Sequence, residues 1–92
     1  MKYIMVKWIH KAPNEPVLLY SELDDHMSEL RKIEVYADGH ADFADREKRS
    51  GNTKLGIEPF PPLEEITADP EFEPQLISAE EFETLWDKLR NK

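Results

Sequence analysis

The stretch "LRKIEVYADGHADFAD", residues 30–45, decides the fold, because its two apolar runs meet at a turn whose length can be argued. A two-residue Asp38-Gly39 loop would set Val35 against Asp42 and Glu34 against Phe43, mixing apolar and charged partners. A three-residue loop, Ala37-Asp38-Gly39, places Gly39 where a left-handed residue is needed. It pairs Val35 with Ala41, Ile33 with Phe43 and Arg31 with Asp45. All the apolar partners then share one face. The cost is Glu34 opposite Asp42 on the other face.

Working outward from this hairpin, "SELDDHMSE" at 21–29 ends one strand and turns into the next, with its acids in a wet connection. Before it, "VLLYSEL" at 17–23 predicts a strand with Val17, Leu19 and Leu23 on one face and Leu18 and Tyr20 on the other. "KAPNEP" at 11–16 is a turn, since two prolines and Asn suit no ladder. "KYIMVKWIH" at 2–10 alternates Ile4, Val6 and Trp8 against Lys2, Lys7 and His10. Tyr3, Met5 and Ile9 make its second face partly apolar, which predicts a strand covered on much of both faces.

Downstream, "REKRSGNTKLG" at 46–56 is polar, basic and punctuated by glycine, so it is expected to be the most mobile segment. "IEPFPPLEEITADPEFEPQLI" at 57–77 carries five prolines. It predicts an irregular wrap over the sheet pegged by Phe60, Leu63, Ile66, Phe72 and Leu76, with "PLEEI" forming a single helical turn and Pro62 at its first position. In "ISAEEFETLWDKLRNK", Ser78 is an N-cap, Glu81 its capping-box partner, and Ile77 a staple onto Phe82. Phe82, Leu85, Trp86 and Leu89 form one apolar stripe, and Lys88, Arg90 and Lys92 sit where the helix dipole favours cations. The expected architecture is a single α+β domain over residues 1–92. It is a meander of about four antiparallel strands with one face covered by the C-terminal helix and the proline-rich segment.

A chain of 92 residues buries roughly 65% of the surface its unfolded form exposes, enough for a modest core. Without cysteine there is neither a disulfide framework nor a thiolate metal site, and a reduced cytoplasm is the expected location. Charges interrupt the apolar positions of the first thirteen residues, so neither a signal peptide nor a membrane span is expected.

The net charge of −8 is unevenly placed. From Leu55 to Asp87 there are ten acids and no Lys or Arg, while the rest of the chain carries ten acids against twelve bases. That negative field repels phosphate backbones and speeds encounter with basic partners, so direct nucleic-acid binding is not expected. The basic group Arg46, Lys48, Arg49 and Lys54, interrupted by Glu47, is assigned to a solvated loop. His10, His26 and His40 fall in separate elements without ligand spacing, so no metal or other cofactor is expected. Nothing sets one desolvated carboxyl beside an ionised one, and no nucleophile motif or phosphate-cradling loop occurs. An enzyme is therefore not expected.

"KYIMVKWIH", "EPVLLYSELDD", "LRKIEVYADG", "TKLGIEPFPPLEEI" and "DPEFEPQLISAEEFETLW" resemble, in order and over nearly the whole chain, a family of small bacterial proteins carrying an uncharacterised domain. The resemblance implies no catalytic residues. It implies the company of immunity proteins, which neutralise a toxin of the same or a rival cell. Together with the charge layout, this makes the leading expectation a non-enzymatic module that masks a basic, nuclease-type toxin. Its carriers would be Glu64, Glu65, Asp69, Glu71 and Glu73, with Glu22, Asp24 and Asp25 as a second acidic edge. Two alternatives stand beside it. One is a small ligand- or metal-binding protein or enzyme using His26 with Asp24 and Asp25, and the other is a structural interaction domain whose acids serve solubility alone.

Overall fold

The hairpin closes in the register its pattern requires. In a computed structural model that describes residues 1–51, 53–57 and 59–90, Val35 pairs with Ala41, Ile33 with Phe43 and Glu34 with Asp42. Gly39 turns the three-residue loop at φ +94°, where a side chain would be strained. Arg31 does not pair with Asp45. The Asp45 carboxylate accepts the amides of Glu47 and Lys48 instead, at 2.8 and 2.7 Å.

The elements are β1 (Lys2–Trp8), β2 (Leu18–Leu23), β3 (Glu29–Val35), β4 (Ala41–Ala44), α1 (Leu63–Thr67), β5 (Phe72–Leu76) and α2 (Ala79–Arg90). Among the described residues they form one antiparallel sheet of five strands in the order β4-β3-β2-β1-β5, one strand more than the sequence predicts. The extra strand, β5, comes from the proline-rich segment expected to be irregular. Ile77 N–H donates to Tyr3 at 2.9 Å and Ile9 N–H to Glu71 at 2.7 Å, so Gln75 and Glu73 occupy the bonded positions between them. Pro74, opposite Val6, falls at a position whose nitrogen points away from the ladder. An edge strand tolerates a proline there and nowhere else.

Each face of the sheet has its own core and its own cover. Ile4, Val6, Leu19 and Leu23 pack against Met27, Phe60, Leu63, Ile66 and Phe72, from the turn before β3, the proline-rich segment, α1 and β5. On the opposite face, Tyr3, Tyr20, Ile33, Val35 and Phe43 pack against Phe82, Leu85, Trp86 and Leu89 of α2. The expectation that helix and proline-rich segment share one face is therefore corrected. The two apolar sets of β1, at odd and even positions, each require a separate layer.

Both helices begin close to where the sequence places them. Ser78 Oγ accepts the Glu81 amide at 3.0 Å, and Ile77 and Phe82 lie in one apolar cluster. Pro62 is the N-cap of α1, which starts one residue later than expected, at Leu63, and its carbonyl accepts the Glu65 amide at 3.0 Å. Lys92 and Glu58 lie outside the described residues.

The basic loop after β4 is hydrogen-bonded to the edge of the sheet. Ser50 N–H donates to Phe43 at 2.8 Å, Phe43 N–H donates to Ser50 Oγ at 2.9 Å, and Arg49 bridges Ala44, so the chain doubles back along the β4 edge. Thr53 is 1% exposed and donates its hydroxyl to Glu34 at 2.6 Å. Ser50 donates to Asp42 at 3.0 Å, so the loop satisfies the two carboxylates that the hairpin register sets side by side. Thr53→Val keeps the shape but strips the Glu34 carboxylate of its donor. We expect it to cost about 2 kcal/mol in urea denaturation, where a solvated loop position would cost nothing measurable.

Candidate functional site

Glu64, Glu65, Asp69, Glu71 and Glu73 are left exposed because the local chain turns their apolar neighbours inward. In α1, Leu63 and Ile66 turn into the first core, so Glu64 and Glu65, beside them in the first turn, stay exposed. The chain then reverses at Asp69, whose carboxylate accepts the Glu71 amide at 2.9 Å and whose carbonyl accepts the Phe72 amide at 3.1 Å. Such a turn, built by the residue's own side chain, leaves Glu71 just before the edge strand and Glu73 on it. Phe72 between them stacks on Trp8 with ring centres 5.8 Å apart. Glu64, Glu65, Asp69, Glu71 and Glu73 are all exposed, and among the described residues none is in an ion pair. Lys7 lies across the ladder from Glu73 and is the one cation facing them in the β1–β5 register.

Glu22 leaves the second acidic edge. Its register position, opposite Tyr3 on one side and Arg31 on the other, turns it toward α2, and it is 7% exposed. Arg31 Nε and Nη2 donate to its two oxygens at 2.7 Å each, and Tyr3 Oη donates to it at 2.8 Å. The same guanidinium donates to both oxygens of Glu83 at 2.8 and 2.7 Å. Its carbon lies 4.9 Å from the Phe82 ring centre and 5.0 Å from that of Trp86. Glu22 and Glu83 thus brace β2 and β3 to α2 through one guanidinium. The Arg31 guanidinium holds both carboxyls below the usual carboxylate range and is itself pushed up by them, while the hydrogen bond to Glu22 and then burial raise the Tyr3 phenol.

Asp24 and Asp25 stay with the connection. Asp24 accepts the amides of His26 at 2.8 Å and Ser28 at 3.0 Å, and these bonds, Ser28 first, lower its pKa. Asp25 and His26 are exposed beyond it. The turn throws Met27 to φ +63°, sends its side chain into the first core and leaves its carbonyl to accept the Phe60 amide at 2.7 Å. Among the described residues no group of three or more His, Asp or Glu side chains is placed to hold a metal ion. Sequence reading missed Met27 as a core residue, and its apolar character among polar neighbours was the signal.

The protein is thus of the α+β class, a five-stranded antiparallel sheet with a helix on each face and acids exposed at one edge. No helix among the described residues is long and apolar enough to cross a membrane. A family model described as a domain of unknown function, DUF6881, matches residues 2–91, and the chain belongs to that family. No curated protein and no solved structure matches it.

The brace sets a pH dependence. A carboxyl held below its unfolded value contributes stability that is present above that value and lost as pH falls through the folded one. Thermal unfolding followed from pH 7 downward should therefore show stability falling away below the ordinary glutamate value of 4.5, as Glu22 takes up its proton. Arg31→Met leaves Glu22 buried without its cation and should cost about 3 kcal/mol at neutral pH. The same variant should regain part of that loss on acidification, the opposite slope to the native chain.

Proposed function

We propose that the protein is a non-enzymatic binding module, most concretely a bacterial cytoplasmic immunity protein that masks a basic, nuclease-type toxin domain. The observation that carries this reading is the ridge of Glu64, Glu65, Asp69, Glu71 and Glu73, five exposed carboxylates without an ion-pair partner among the described residues. Acids bracing distant parts of the fold are treated differently in this molecule, since Glu22, Glu34 and Glu83 are each matched to a side-chain donor, whereas among the five Asp69 alone accepts a hydrogen bond, from the nearby Glu71 amide. A like-charged edge beside an exposed apolar residue, Leu76, suits a basic surface with a small apolar centre, steered into place by charge and held by contact. Asp25 extends the negative field at the β2–β3 turn.

The test is association with a basic nuclease domain encoded beside this protein's gene, followed by stopped-flow fluorescence. The association rate should fall at least tenfold between about 0.05 and 0.5 M salt, because surface charges are screened within a few ångströms at the upper end. Combining Glu64→Gln, Glu65→Gln, Asp69→Asn, Glu71→Gln and Glu73→Gln should remove that salt dependence while leaving the turn at Asp69 its acceptor oxygen. Association that ignores salt and survives the combined variant would sink the electrostatic reading.

A further inference from the structure

The first face of the sheet is not covered throughout. α1 and Phe60 close over Ile4, Val6 and Leu23, but toward the hairpin end a cavity of about 420 Å³ remains. The ladder places its walls: Leu19 pairs with Val6 and with Glu34, and Trp8, Lys32 and Tyr36 share that face by strand alternation. The loop before β2 closes one side with Glu15. Two aromatic rings, two carboxylates and one ammonium therefore line a single pocket that the acidic ridge does not include. Each ring is itself seated against an imidazole, Trp8 on His10 at 4.3 Å between ring centres and Tyr36 on His40 at 4.2 Å.

The field in the pocket is negative in spite of Lys32. Its ammonium forms an ion pair with Glu34 Oε2 at 3.6 Å, too long for a hydrogen bond, and the other oxygen of Glu34 is engaged by Thr53. Oε2, paired by charge but with no hydrogen bond, therefore keeps acceptor capacity. Burial pushes the Tyr36 phenol up first, and the carboxylates of Glu34, Asp42 and Glu15 push it further. Aromatic faces beside a carboxylate with an acceptor oxygen to spare, Glu34, and an exposed one, Glu15, suit a cation that is flat and weakly hydrated, able to stack and to donate in a fork at once. An ammonium meets the second requirement poorly because it holds its water more tightly.

The geometry points to a binding site for a guanidinium group, as carried by arginine, with Glu34 and Glu15 as acceptors and Trp8 and Tyr36 as the stacking surfaces. The probe is N-acetylarginine amide, titrated while the two indole N–H signals are followed by NMR. The Trp8 signal should move and saturate while that of Trp86, 5% exposed in the other core, stays in place. Glu34→Gln should weaken binding about tenfold, the worth of one charge-assisted hydrogen bond. Because Glu34 also serves Thr53, Glu15→Gln, an exposed position, is the second variant and should weaken it about threefold. Saturation by acetyl-Gly-Arg-Gly amide as well assigns the site to an arginine on a polypeptide, whereas saturation by the single residue alone assigns it to a small molecule. Both outcomes support guanidinium recognition. An unsaturable response, an equal shift with N-acetylglutamine amide or N-acetyllysine amide, or native affinity in the doubly substituted protein overturns it. The ridge substitutions leave these residues untouched, so this site and the proposed function fail separately.

Discussion

Arg31 is the point on which the rest of the molecule is hung. Its guanidinium donates to Glu22 on the neighbouring strand and to Glu83 on the helix, and it lies over Phe82 and Trp86. A cation in this position would be costly to desolvate alone. Two bidentate carboxylates and two ring faces offset that cost and require α2 to take one position along the sheet. Ile33, two residues along β3 on the same face, then falls under the two rings of the helix and is completely buried. Sheet order, helix placement and the second core are in this sense one arrangement.

That constraint divides the acidic residues into two populations. Glu22 and Glu83 face the guanidinium, Glu34 and Asp42 face the hydroxyls of Thr53 and Ser50, and Asp24, Asp45 and Asp69 turn back onto nearby amides. Among the described residues, Glu64, Glu65, Glu71 and Glu73 at α1 and β5 have no such partner, and Glu15, Asp25, Glu47, Glu80 and Asp87 are likewise exposed without one elsewhere on the surface. Pro74 and its flanking glutamates make the β5 edge a poor template for another strand, since the proline offers no outward donor and the charges repel. An edge so built favours recognition through side chains over strand pairing, which is the mode a charged partner would use.

Local patterns carried a large share of the fold. The register of the hairpin from Ile33 to Phe43 followed from the rule that a one-residue slip moves every apolar side chain to the wrong face. The start of α2 followed from Ser78 and Glu81, and the placement of Phe82 and Trp86 in the core from helical spacing. Strand β5 escaped the same treatment because five prolines in twenty-one residues argue against a strand, and only its place at the edge makes Pro74 harmless. The anchor of the basic loop was hidden for a related reason. Thr53 is one polar residue among many in the chain, yet at 1% exposure it is the most buried polar residue among those described.

By itself the sequence determined an antiparallel α+β arrangement, the hairpin, the capped helix and the excess of acid in the last third, because each depends on residues close together in the chain. Tertiary structure alone decided which acids are spent and which are free. Whether Glu22 is a surface charge or half of a buried brace depends on Arg31, nine positions away, and on Glu83, fifty-two positions beyond that. Whether Trp8 and Tyr36 line one pocket depends on a ladder through two intervening pairings. Charge and aromatic character are properties of single residues, but their compensation is a property of distance, and distance between remote residues is created by folding.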